Sequence, residues 1–168
     1  MADDDPIEKR VGDALRDREE TIAVAESCTG GLVGSLLTDV PGSSAYFERS
    51  LVTYSYDAKQ ELLAVSREAL DDHGAVSEPV ATEMARGVRD TAGTDWGVAT
   101  TGVAGPTGGS PETPVGTVHI AVAHAAPWET GQSDCPVRHY EFDGSRTEVK
   151  AKIARQALSD LLTRLHQQ

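Results

Sequence analysis

The sequence predicts an α/β fold: a three-layer α/β/α sandwich on a mixed, largely parallel sheet. Three observations carry this. Short apolar runs rich in β-branched residues, at Thr21–Val24, Leu51–Ser55 and Asp95–Thr101, alternate with stretches whose apolar residues recur at helical spacing. A strand–helix–strand order favours parallel pairing. The last two strand-like runs, Gly116–Ala125 and Val137–Phe142, have no helix between them, so they pair as a hairpin and make the sheet mixed. With 168 residues, the chain has room for one domain with a real core, and no repeat or inner boundary divides it.

Taken in order, Pro6 to Arg18 reads as a surface helix, with proline in its first turn and Ile7, Val11, Ala14 and Leu15 on one face. The strand at Thr21–Val24 follows. A helix then runs from about Gly30 to Asp39 and stops before Pro41-Gly42. Ser43-Ser44 with Phe47-Glu48 reads as a capped turn. Leu51–Ser55 is the second strand, and Ser55 caps a helix from Tyr56 that carries Lys59, Leu62 and Leu63. Ser66–Leu70 begins a short helical piece ending near His73-Gly74, and Ser77-Glu78-Pro79 opens a longer helix with Val80, Met84 and Val88. After the third strand, Gly102–Pro114 holds four glycines, too many for a regular element, and so forms a loop. Ser145 caps a long C-terminal helix with Val149, Ile153, Ala157, Leu161 and Leu165 on its apolar side.

Composition excludes some functions. The formal net charge is −12, from 27 acidic and 15 basic residues, which argues against nucleic acid or an anionic membrane as partner. No apolar run is long enough to span a bilayer, and the acidic start Met1-Ala2-Asp3-Asp4-Asp5 is the reverse of a secretory signal, so a cytoplasmic protein is expected. Cys28 and Cys135 make no disulfide framework, and neither has zinc-ligand spacing. Only Lys9, Lys59, Lys150 and Lys152 are lysines; an acidic, lysine-poor surface suggests a salt-loving source.

Chemistry concentrates in Ala25-Glu26-Ser27-Cys28-Thr29-Gly30-Gly31, where a strand turns into a helix. Such a junction offers unpaired N–H groups to an anion or an oxyanion, although Ser27 or Thr29 could equally be a plain helix cap. The Tyr54–Lys59 stretch and the Thr101–Gly109 loop also follow strands, at the ends where α/β folds bind ligands. A serine nucleophile needs a base. His73, His119, His124, His139 and His166 sit beside no strand-end motif and read as ordinary surface or core-edge histidines. Lys59, one turn into its helix, is the better candidate, since burial and a helix N-terminus both disfavour its ammonium form. Tyr54 could relay or orient the proton. Cys28 competes with Ser27 as nucleophile, and physical reasoning leaves the two unranked. Glu26 and Glu78 act as a carboxylate pair only if folding brings them together.

Five motifs in order carry a resemblance: Ala-Glu-Ser-Cys-Thr-Gly-Gly at 25–31, Val-Thr-Tyr-Ser at 52–55 with Lys59 following, His-Gly-Ala-Val-Ser-Glu-Pro-Val at 73–80, Thr-Gly-Val-Ala-Gly-Pro-Thr-Gly-Gly at 101–109 and Pro-Val-Gly-Thr-Val at 114–118. They resemble the CinA C-terminal domain family, whose stand-alone members are nicotinamide-nucleotide amidases (PncC). The resemblance covers about Ile7 to Leu165 and implies an α/β/α fold, commonly dimeric. It also implies hydrolysis of the carboxamide of nicotinamide mononucleotide to nicotinate mononucleotide and ammonia, without metal or cofactor. By motif position, it makes Ser27 the nucleophile, Lys59 the general base and Tyr54 an assistant in proton transfer. Cys28, Thr29, Gly30 and Gly31 would then surround the reacting carbonyl, with N–H groups from about Thr29 to Gly31 holding the oxyanion. Thr101, Gly102, Gly105, Gly108 and Gly109 would hold ribose or phosphate, and Arg49 or backbone amides would offset the substrate's charge. The competing expectation is a non-catalytic nucleotide-binding module of the same type.

Overall fold

The computed structural model describes residues 4–168; the acidic start at Met1–Asp3 lies outside them. Five strands form one sheet in the order β2-β1-β3-β4-β5: β1 (Ile22–Glu26), β2 (Phe47–Val52), β3 (Trp96–Gly102), β4 (Thr117–His124) and β5 (Val137–Glu141). β1 pairs in parallel with β2 and β3, whereas β4 is antiparallel to both β3 and β5. The helix-connected strands are thus the parallel ones, as crossover connections demand, and the helix-free pair is a hairpin.

Helices cover both faces. α1 (Ile7–Arg18), α2 (Leu32–Thr38) and α6 (Arg146–Gln167) close one core with Ile22, Val24, Val98, Ile120 and Val122. α5 (Glu78–Ala92), helped by α3 (Tyr56–Leu63) and α4 (Arg67–His73), closes the other over Ala23, Ala25, Ala99, Ala121 and Ala123. Side chains of a strand alternate in direction, so the even-numbered residues of β1 face α1, α2 and α6, and the odd-numbered ones face α5. The alanines on the α5 face let that helix lie close. Gly87 brings α5 against the end of α3, since a Cβ there would stand 2.0 Å from the Leu63 carbonyl oxygen. Serine caps start α3, α4, α5 and α6: Ser55, Ser66, Ser77 and Ser145 each accept an N–H three residues on.

One strand differs from expectation. β2 occupies 47–52 rather than 51–55, so Phe47-Glu48 opens the strand instead of forming a turn, which a 3₁₀ turn at Ser43–Ala45 provides. Register is the reason: β2 must lie beside 22–26, with Phe47 against Ile22 and Val52 against Glu26. The chain leaves the sheet at Thr53, whose N–H donates to the Glu26 carbonyl at 2.8 Å. Among the described residues, no helix is long and apolar enough to cross a membrane.

Candidate active site

The carboxyl ends of β1, β2 and β3 meet at one edge of the sheet, joined there by the start of α6. Glu26, the last residue of β1, is fully buried on the α2 face. Its Oε1 accepts from Thr29 Oγ1 (2.7 Å) and from the N–H groups of Val33 (2.9 Å) and Gly31 (3.2 Å). Its Oε2 accepts from Ser50 Oγ (2.6 Å) and the Gly34 N–H (3.0 Å). A carboxylate built into the protein therefore occupies the α2 N-terminus, and neither Ser27 nor Thr29 caps it. That end is closed to an external anion. Glu78 opens α5 on the other face of the sheet, so the two carboxylates are no pair.

Ser27 comes next and points to the opposite face. The parity that sends Ala23 and Ala25 toward α5 sends Ser27 there too, while Cys28 turns into the α2/α6 core. Burial pushes the Cys28 thiol up to about 12, which removes it as a thiolate nucleophile at neutral pH. Lys59, four residues into α3 and 1% exposed, reaches Ser27 from the α5 side. Its Nζ donates to Ser27 Oγ at 2.9 Å, to the Thr53 carbonyl at 2.6 Å and to the Tyr54 carbonyl at 3.4 Å. Among the described residues, no carboxylate is bonded to it. Burial accordingly holds Lys59 well below the usual lysine range, at about 8.

The structure does not bring the Tyr54 hydroxyl to this pair. Tyr54 approaches Lys59 through its backbone carbonyl, while its side chain is 62% exposed and its Oη accepts from Arg146 Nη2 at 3.1 Å. Backbone N–H groups also differ from expectation. Gly30 donates to the Ser27 carbonyl and Gly31 to Glu26, so neither points at a ligand. The N–H groups of Cys28 and Thr29, by contrast, donate to no other residue among the described ones; that of Cys28 lies against its own thiol. Thr29 Oγ1 is spent on Glu26 and Thr100. Thr101 Oγ1 donates to the Ala75 carbonyl at 2.7 Å, which ties β3 to the segment before α5.

Close approach explains most of the glycine loop. A Cβ on Gly102 would stand 2.5 Å from the Thr117 carbonyl oxygen, and one on Gly105 or Gly109 would strike Val115. Gly108 instead adopts a positive φ of 91°. The loop folds back on Val115 and presents the Gly105 carbonyl to Arg146 Nη1 at 2.7 Å. Arg49 is not part of the site; it pairs with Glu48 on the exposed surface of β2. Three of the histidines are engaged elsewhere: His119 stacks on His139 and His124 on Trp96. Among the described residues, no group of three His, Cys, Asp or Glu side chains could hold a metal.

Sequence reasoning missed Arg146 and Lys150. Both lie near the start of α6, four apart and so on one face; Lys150 approaches Gly30 in the Ser27 turn, and Arg146 reaches the Gly105 carbonyl and the Tyr54 hydroxyl. A signal was present: cations are unfavourable at a helix N-terminus, and this chain placed two there while using few lysines.

Comparisons with known proteins show the family and the fold. A family model for the CinA C-terminal domain matches residues 4–165. A CinA-like protein of Chlorobaculum tepidum is 50% identical over 159 residues, covering 95% of this chain and 37% of that protein. One from Salinibacter ruber is 49% identical over 154 residues, covering 92% and 36%. This chain therefore spans little more than a third of the length of those relatives. Among solved structures, a CinA superfamily protein from Klebsiella pneumoniae superposes with a TM-score of 0.89 at 35% identity, covering 96% of this chain and 97% of that one. A competence/damage-inducible protein from Agrobacterium tumefaciens does so with 0.82 at 39%, covering 95% of each. By sequence over nearly its whole length and by fold, the chain belongs to the CinA family, as a C-terminal domain of that type.

Proposed function

We propose that this domain is an amidohydrolase that converts nicotinamide mononucleotide to nicotinate mononucleotide and ammonia by a serine–lysine mechanism. The observation that carries the reading is Lys59 Nζ, buried, 2.9 Å from Ser27 Oγ and without a carboxylate partner. A neutral amine has two N–H groups and one lone pair. The Thr53 and Tyr54 carbonyls are placed to accept the two N–H groups, which directs the lone pair at the Ser27 hydroxyl. Ser27 Oγ attacks the carboxamide carbon as its proton passes to Lys59. The oxyanion is held by the Cys28 and Thr29 N–H groups, each of which can contribute about 3 kcal/mol to the barrier. Lys59 returns the proton to the departing nitrogen, which leaves as ammonia. Water, deprotonated by Lys59, then attacks the acyl ester, releasing the carboxylate and restoring Ser27.

The nucleotide part of the reading rests on the family and on the cations at the start of α6, since the reaction itself needs none. Arg146 stands at the mouth, bonded to neutral oxygens only, where it can meet an anionic substrate. The proposal also keeps the homodimer that the family resemblance implies. The test is ammonia release by purified protein given nicotinamide mononucleotide. Turnover by wild type and none by Ser27→Ala is the expected result; binding of the nucleotide without ammonia release would make this a nucleotide-binding module instead.

A further inference from the structure

Among the buried threonines, one hydroxyl is left without a bond. Thr29 and Thr100 share a hydrogen bond, Thr94 donates to the Trp96 carbonyl, Thr101 to that of Ala75 and Thr117 to that of Pro114. Thr53 is 0% exposed, yet its Oγ1 has no hydrogen-bond partner among the described residues. Its place is beside the reactive pair. The register that sets Val52 beside Glu26 sets Thr53 beside Ser27, and the Thr53 N–H continues the ladder onto the Glu26 carbonyl. Alternation gives the face. Ser50 reaches Glu26 on the α2 side and Leu51 packs on the α5 side, so Thr53 faces the α5 side with Ser27 and Lys59. The Thr53 carbonyl is itself 2.6 Å from Lys59 Nζ.

A buried hydroxyl without a partner lowers stability, and valine has the same branched shape without that cost. A partner that arrives with the reaction accounts for the hydroxyl. Lys59 protonates the departing nitrogen, so ammonia forms within reach of Nζ, and the water that cleaves the ester must come to the same Nζ. Both molecules are small enough for so enclosed a place, and both exchange hydrogen bonds with a hydroxyl. We propose that Thr53 is a positioning residue for ester cleavage: its Oγ1, buried beside Ser27 and Lys59, accepts a hydrogen bond from the water that replaces ammonia. One water proton is then held by Thr53 and the other faces Lys59, which turns the oxygen toward the acyl carbon. That oxygen bonds to the acyl carbon as its proton passes to Lys59. The bond from the same carbon to Ser27 Oγ then breaks, Lys59 gives the proton to Oγ, and the acid formed loses its remaining proton to solvent. This rests on the amidase reading, because only an acyl-Ser27 ester needs such a water.

The test lets hydroxylamine compete with water for the acyl-enzyme, on the full chain with nicotinamide mononucleotide. Hydroxylamine attacks esters without help from a base and yields the hydroxamate where water yields the carboxylate. The ratio of the two products is set after ammonia has left, so loss of folded protein, weaker binding or slower acylation does not move it. Thr53→Val should raise the hydroxamate-to-carboxylate ratio about tenfold, the worth of one hydrogen bond, and Thr53→Ser should bring it back to within about twofold of wild type. An unchanged ratio in Thr53→Val would overturn the proposal and leave the amidase reading intact. Loss of all ammonia release in Thr53→Val alone would place the work of the hydroxyl before the ester and equally overturn it. No ammonia from wild type would end the amidase reading and the proposal with it. In guanidinium, Thr53→Val should unfold at the wild-type midpoint or above it, since no protein hydrogen bond is lost. A lower midpoint would show that the hydroxyl serves the fold, and would overturn the proposal.

Discussion

Glu26 and Lys59 are both buried ionisable side chains at the end of β1, one on each face of the sheet, and they are solvated in opposite ways. Glu26 receives five donors, three of them N–H groups of the α2 N-terminus. Lys59 has three neutral oxygens and, among the described residues, no carboxylate. Burial costs a charge its hydration, and what replaces that hydration decides the outcome. Around Glu26 the replacement is complete, and the residue becomes a rivet joining β1, β2 and α2. Around Lys59 it is partial, and the amine gives up its proton near pH 8. The difference is between a group used to hold the turn and a group left ready to react.

The contrast breaks most decisively at the reactive side. Ser27→Ala and Lys59→Ala should each cut ammonia release by roughly a thousandfold or more while thermal unfolding stays cooperative; a fully active Lys59→Ala enzyme would end the serine–lysine reading. On the other side the loss should appear in stability. Glu26→Ala leaves five buried donors without their acceptor and should cost about 3 kcal/mol or more in guanidinium denaturation. A cost below about 1 kcal/mol would mean that the donors find other partners. A smaller effect is expected with pH. Because the base must be unprotonated, kcat/KM should rise with pH and level off above about 8, following Lys59. A limb near 10 would mean that burial does not tune this amine. Smallest of all, Cys28→Ala should lower stability by about 1 kcal/mol and leave kcat within about threefold, since its thiol packs in the core and makes no hydrogen bond to Ser27 or Lys59.

Much of the site was legible from strand ends and caps. The serine caps at 55, 66, 77 and 145 announced four helices, and the Ser27 turn sat where a strand met a helix. Alternation along β1 could also have ranked Ser27 over Cys28, had the face of Lys59 been known. Tyr54 was misread because it was placed inside a strand that ends at Val52. Out of the sheet, its carbonyl turns inward and its ring turns to solvent. Arg146 and Lys150 were overlooked because an apolar stripe dominates their helix.

By itself, the sequence determined the order of strands and helices, the parallel and hairpin halves of the sheet, and the polar turn after β1, because these follow from local periodicity, capping and glycine. Only the tertiary structure decided which side chains meet. Lys59 and Ser27 lie 32 residues apart, and Arg146 and Tyr54 92. Their meetings depend on strand register, on the face each helix covers and on which buried charge finds its hydrogen bonds, and no local pattern encodes any of these.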